Sequence, residues 1–138
     1  MGLDKSFNID LKSRYEAGKR DLISDVPGVT AIMPHQGNIF REKLPAASAV
    51  INGFGKTAGL VQIDELGTLE SPIFMTNTLS VGTVLTGAVR YMLGICPEIG
   101  DTTGTVNCVV TECNDGFLND IRGLHVREEE QAPLMPTA

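Results

Sequence analysis

Between residues 81 and 95 apolar side chains recur every three or four positions: Val81, Val84, Leu85, Ala88, Met92 and Ile95. That spacing lays a single apolar stripe along a helix. Ser80 stands at the N-cap position and Pro97 bars continuation. A shorter near-helical set, Leu60, Val61, Ile63 and Leu66, predicts a second helix capped by Thr57 and ended by Gly67. The other apolar runs are too short for helices. Residues 29–33 (VTAIM), 46–51 (AASAVI), 72–76 (PIFMT) and 105–111 (TVNCVVT) each predict a strand. The 46–51 run meets the turn pair Asn52-Gly53 and reads as a buried strand ending in a tight turn.

Polar stretches separate these elements. Asp25-Val26-Pro27-Gly28 has turn chemistry, residues 35–45 read as a loop, and residues 116–123 as a turn or short helical piece. Residues 125–131 suit one or two exposed helical turns. Residues 1–20 are expected to be a flexible segment, and Pro133 and Pro136 mark 133–138 as an unstructured tail. Strands alternating with helices argue for α/β, or layered α+β, architecture in a single domain. No internal repeat or low-complexity tract interrupts it.

Composition narrows the function classes. The chain has 138 residues, 42% hydrophobic and 20% charged, with no Trp, so its core is aliphatic. Net charge is -6 and the 11 Lys and Arg form no basic stripe, which argues against a nucleic-acid partner. The first twenty residues are locally basic, with Lys5, Lys12, Arg14, Lys19 and Arg20, but no apolar signal core follows. No apolar run approaches membrane-spanning length. Cys96, Cys108 and Cys113 cannot all pair within one chain and form no CxxC, so they are read as reduced, buried thiols in a cytoplasmic protein.

Three features bear on chemistry. Gly53-Phe54-Gly55-Lys56-Thr57-Ala58 satisfies GxGxxA, the relaxed dinucleotide fingerprint. The acidic residue that should follow the next strand is missing, however, since Glu70 precedes that strand. A phosphate-binding loop would need Gly where Val50 stands. The plainer reading is a sharp glycine turn, with no cofactor. Second, if a strand starts at Thr105, then Val106, Cys108, Val110 and Glu112 share one face. A carboxylate ending that apolar row must reach water or a cation. It either emerges into solvent or holds a ligand ammonium; from the residues alone, emergence is the simpler reading. Third, Asn114, Asp115, Asn119, Asp120 and Arg122 cluster around Asp115-Gly116 and read as turn residues. Neither His35 nor His125 has a companion at ligand spacing, so no metal site is expected. No nucleophile elbow is present.

Several longer runs carry a resemblance: ISDVPGV, TAIMPH, NIFREKLPAA, INGFGKTAGLVQIDELGT, SPIFMTNTLSVGTV and CNDGFLNDIRG, in that order between residues 23 and 123. Extending to Val126, they resemble the front part of the DmpA-like peptidases, the family of L-aminopeptidase/D-esterases and β-peptidyl aminopeptidases. The resemblance implies a four-layer αββα sandwich, shared with the ornithine acetyltransferases. Residues 21–132 would be one incomplete domain of that fold. It also implies a precursor that cuts itself and exposes a Ser as a new N-terminus. That Ser attacks the amide of a peptide or amino-acid amide with a free amino end. Glu112 takes the place of the carboxylate that holds the substrate's ammonium. Asn114 takes the place of an active-site Tyr, a departure that bears on substrate preference.

The nucleophile, the oxyanion-hole Asn and the later Ser and acidic partner have no counterparts before Ala138. Val29 also runs into Thr30 where relatives carry a further strand, which should leave a sheet edge or packing gap. The expectation is therefore the α-side portion of a self-processing serine aminopeptidase, inactive alone. Its partners would be a complementary second half and further copies of itself. The alternatives are a non-catalytic binding or scaffold module of the same fold, and a dinucleotide-binding protein.

Overall fold

The computed structural model describes residues 28–126. The expected flexible segment 1–20, the tail 133–138 and most of the 125–131 helical turn lie outside the described residues. His125 and Val126 are not helical.

Helix α2, Val81–Ile95, forms where the apolar stripe predicts it, with Val84, Ala88 and Met92 buried. Cys96 closes it, its backbone N–H donating to Met92 O at 2.9 Å. Ser80 occupies the N-cap position, yet its hydroxyl makes no capping bond. Helix α1, Leu60–Leu66, ends at Gly67, which adopts left-handed φ and donates to Ile63 O.

Among the described residues six strands accompany the helices: β1 (Val29–Ile32), β2 (Leu44–Pro45), β3 (Thr57–Ala58), β4 (Thr68–Leu69), β5 (Ile73–Thr76) and β6 (Val109–Glu112). Four of them form one mixed sheet in the order β1-β5-β6-β3, and β2 pairs with β4. β5 and β6 run parallel, with Phe74 beside Val110 and Thr76 beside Glu112; β1 and β3 flank them antiparallel. Helix α2 packs on β5, β6 and β3. Phe74 and Val110, neighbours in register, join its buried residues in the core. β5 alternates half-buried and buried positions, so its second face, with Ile73 and Met75, is only half covered. The result is a mixed α/β fold, as the alternation of elements predicts. Among the described residues β1 pairs with β5 alone.

The structure departs from the predicted elements in several places. No strand forms over residues 46–51; Val50 and Ile51 are exposed, Ile51 fully at 100%. Four of those six residues are Ala or Ser, weak strand formers. Thr57 caps no helix; it lies in β3, and α1 starts later with Gly59 as its N-cap residue. The 105–111 strand shrinks to β6, because side chains take backbone donors just before and at its start: Asn107 N–H donates to Glu70 Oε1 at 2.8 Å and Val109 N–H to Ser71 Oγ at 3.0 Å. Finally, the 35–45 loop buries Ile39 and Phe40 in the core. Asn38 organises it as an Asx turn, its Oδ1 accepting Phe40 N–H at 3.1 Å.

Candidate amine-binding site at the end of strand β6

Glu112 is the last residue of β6, at the carboxyl end of the parallel pair β5–β6. The register sets Ala58 opposite Val110 and Thr57 opposite Thr111, which brings Lys56 to Glu112. Glu112 N–H donates to Lys56 O at 3.0 Å. The reciprocal bond does not go to the backbone: Lys56 N–H donates to Glu112 Oε2, also at 3.0 Å. The carboxylate thus replaces the last ladder acceptor. Lys56 Nζ stands 3.7 Å from the same oxygen, and the two side chains are 11% exposed for Glu112 and 46% for Lys56. Sequence reasoning requires water or a cation for this carboxylate, and Lys56 supplies the cation. Among the described residues, both contacts fall on Oε2.

The glycine loop that brings Lys56 there is not a dinucleotide loop. No strand directly precedes it, and its last two residues, Thr57 and Ala58, form β3 instead of opening helix α1. Gly53 has open space around it, and Gly55 meets only Asn52 O at 3.9 Å. The glycine that geometry requires is Gly59, with φ of +86°. Phe54, exposed on this loop, presents its ring to Lys56 Nζ at 4.1 Å from the centroid.

Asn114 is exposed, and its Oδ1 accepts Gly116 N–H at 2.9 Å. Asp115 accepts Asn119 Nδ2 at 2.5 Å, and Asp120 accepts Arg122 N–H at 3.1 Å. This polar cluster bonds within itself, as turn residues do. Cys113 is exposed, which corrects its reading as buried: it follows the end of β6, where the chain leaves the sheet. Cys96 and Cys108 are buried. Burial, with Glu70 nearby, pushes the Cys108 thiol up to about 12, so it stays protonated.

A second polar centre escaped sequence reasoning. Glu70, buried before β5, pairs with Lys43 and accepts from both Asn107 N–H and Asn107 Nδ2, at 2.8 and 3.1 Å. Burial pushes its carboxyl up, but Lys43 and Asn107 outweigh burial and hold it below the ordinary value. It lies at the amino end of β5 and β6, the opposite end of the sheet from Glu112. The available signal was a lone acid directly before an apolar strand. Among the described residues no group of three His, Cys, Asp or Glu side chains could hold a metal ion, and no helix is long and apolar enough to cross a membrane.

Comparison with known structures places this architecture among the peptidases. The PH0078 protein from Pyrococcus horikoshii OT3 is 44% identical, with a TM-score of 0.73 over 88% of this chain and 41% of its own. A β-aminopeptidase from Burkholderia sp. is 30% identical with a TM-score of 0.61, over 89% of this chain and 41% of its own. The L-aminopeptidase D-Ala-esterase/amidase from Ochrobactrum anthropi, described as a variant of the Ntn hydrolase fold, is 26% identical with a TM-score of 0.58, over 86% of this chain and 40% of its own. In sequence, the β-peptidyl aminopeptidase BapA of Sphingosinicella microcystinivorans is 36% identical over 80% of this chain and 27% of its own length.

The model of peptidase family S58 matches residues 15–138, and the chain belongs to that family. The DmpA-like resemblance read from the motifs is thereby borne out. The chain spans about a quarter of the length of the curated relatives it matches.

Proposed function

We propose that this chain supplies the amine-binding side of a serine aminopeptidase that hydrolyses amides or peptides with a free amino terminus. The observation that carries the reading is Glu112: a largely buried carboxylate at the end of β6, with both contacts on Oε2. A primary ammonium reaching Oε1 would make a charge-assisted hydrogen bond, stronger than a neutral one. Asn114, two residues on, would border the substrate beyond its amine.

On this reading the nucleophile comes from a complementary second half, formed by self-cleavage. Its natural seat is the half-covered sheet face that carries Ile32, Ile73, Met75 and Thr111. Residues 21–132 then make up this chain's share of the domain. Assembly into homo-oligomers and a cytoplasmic setting complete the proposal.

Hydrolysis of aminoacyl p-nitroanilides tests it. The 138 residues alone should show no turnover above background. Co-expression with the region that follows in the full-length relatives should restore release of p-nitroaniline, and blocking the substrate's amine should abolish it. Equal hydrolysis of blocked and free substrates, or none after restoration, contradicts the assignment.

A further inference from the structure

We propose that Lys56 sets the preference of the amine site, selecting an amino-terminal residue with an acidic side chain. The inference rests on the reading of Glu112 as the carboxylate that receives the substrate's amine. Lys56 Nζ lies 3.7 Å from Glu112 Oε2. That is an ion pair but too long for a good hydrogen bond, and such a pair on a half-exposed lysine is weak. An incoming ammonium that donates directly to Oε1, at about 2.8 Å, takes over the neutralisation of Glu112 while Lys56 keeps its place beside Oε2.

Other contacts hold the lysine at the site. Its backbone is fixed on both sides of the ladder position, by Lys56 N–H to Glu112 Oε2 and by Glu112 N–H to Lys56 O, each 3.0 Å. In that same position its ammonium lies over the Phe54 ring, 4.1 Å from the centroid. Once the substrate's ammonium neutralises Glu112, Lys56 remains as an uncompensated cation a few ångströms away. Together the two side chains form an opposite-charge pair matched to a ligand with an ammonium and a nearby carboxylate. An amino-terminal Asp or Glu presents both groups. A neutral residue leaves Lys56 unpaired, and a basic one adds repulsion.

Three amides separate the possibilities by titration calorimetry on the full chain at low salt: aspartic acid α-amide, asparagine amide and lysine amide. The first two differ by one charge at nearly constant shape. The expected order is acidic, then neutral, then basic, with about fivefold between the first two, the size of a solvent-screened charge contact. Lys56→Met should abolish that order and tighten the lysine amide, whereas Lys56→Arg, which keeps the charge, should retain it. Glu112→Gln should weaken all three. Glu112-dependent binding that is equal for the three amides, or an order that survives Lys56→Met, overturns the role of Lys56 and leaves that of Glu112 standing. No Glu112-dependent binding of any of them overturns the reading of Glu112, and this inference with it.

Discussion

Replacing Gly59 with alanine is expected to destabilise the fold by about 2–4 kcal/mol. Two costs add. Gly59 adopts φ of +86°, a left-handed conformation that a residue with a Cβ enters at about 1 kcal/mol or more. The new methyl would also collide with the Cys108 carbonyl, lying 2.8 Å from its carbon and 3.0 Å from Val109 Cα. These are backbone atoms at the start of β6, so relief requires β3 to move away from β6. The β3–β6 pairing is what brings Lys56 to Glu112, so the damage should reach the proposed amine site as well as stability. Urea unfolding followed by circular dichroism measures the first effect. Gly53→Ala is the control, because nothing lies within 4 Å of its added methyl. Equal losses at both positions would contradict the assignment of Gly59 as the constrained glycine.

Removing Glu70 should cost about 2–3 kcal/mol, below most of the range for broken buried ion pairs because Lys43 can turn to water. The carboxylate is 4% exposed, whereas the Lys43 side chain is 39% exposed. Glu70→Ala also strips Asn107 N–H of its acceptor at the point where side chains replace the sheet ladder. The effect should depend on pH, with a definite sign. Glu70 has its folded-state value held below the ordinary 4.5. It therefore contributes stability that is full above the unfolded value and is lost as pH falls through the folded one. The gap between wild type and Glu70→Ala should be constant near neutrality and close below about pH 4. A gap that widens on acidification would contradict the ion pair as its source.

These residues show how far sequence reasoning reached. Helix α2 was legible to the residue, because a stripe of six apolar positions bounded by Ser80 and Pro97 admits one solution. The centres of β1 and β5 were legible for the same reason. The start of β6 was not: it is set by Glu70 and Ser71, distant in sequence, whose side chains occupy the backbone of Asn107 and Val109. The 46–51 run failed because a strand needs a paired neighbour, which no local pattern reports: among the described residues no strand pairs with it, and Ala46 N–H donates to Gly67 O instead. Glu112 was found by period-two spacing and by family motif, but its bond to Lys56 is a product of sheet register. The GxGxxA match pointed to Gly53 and Gly55, whereas the glycine under constraint is Gly59, one residue past that motif.

Kinetics of Glu112→Gln in the chain restored with its second half test the central claim most directly. The substitution keeps the shape, including an oxygen for Lys56 N–H, and removes the charge. Substrates with a free amine should lose about 1.5–3 kcal/mol in kcat/KM, the range for hydrogen bonds to charged groups. N-acetylated analogues should change little. Equal losses on free and blocked substrates would show that Glu112 only holds the end of the sheet together.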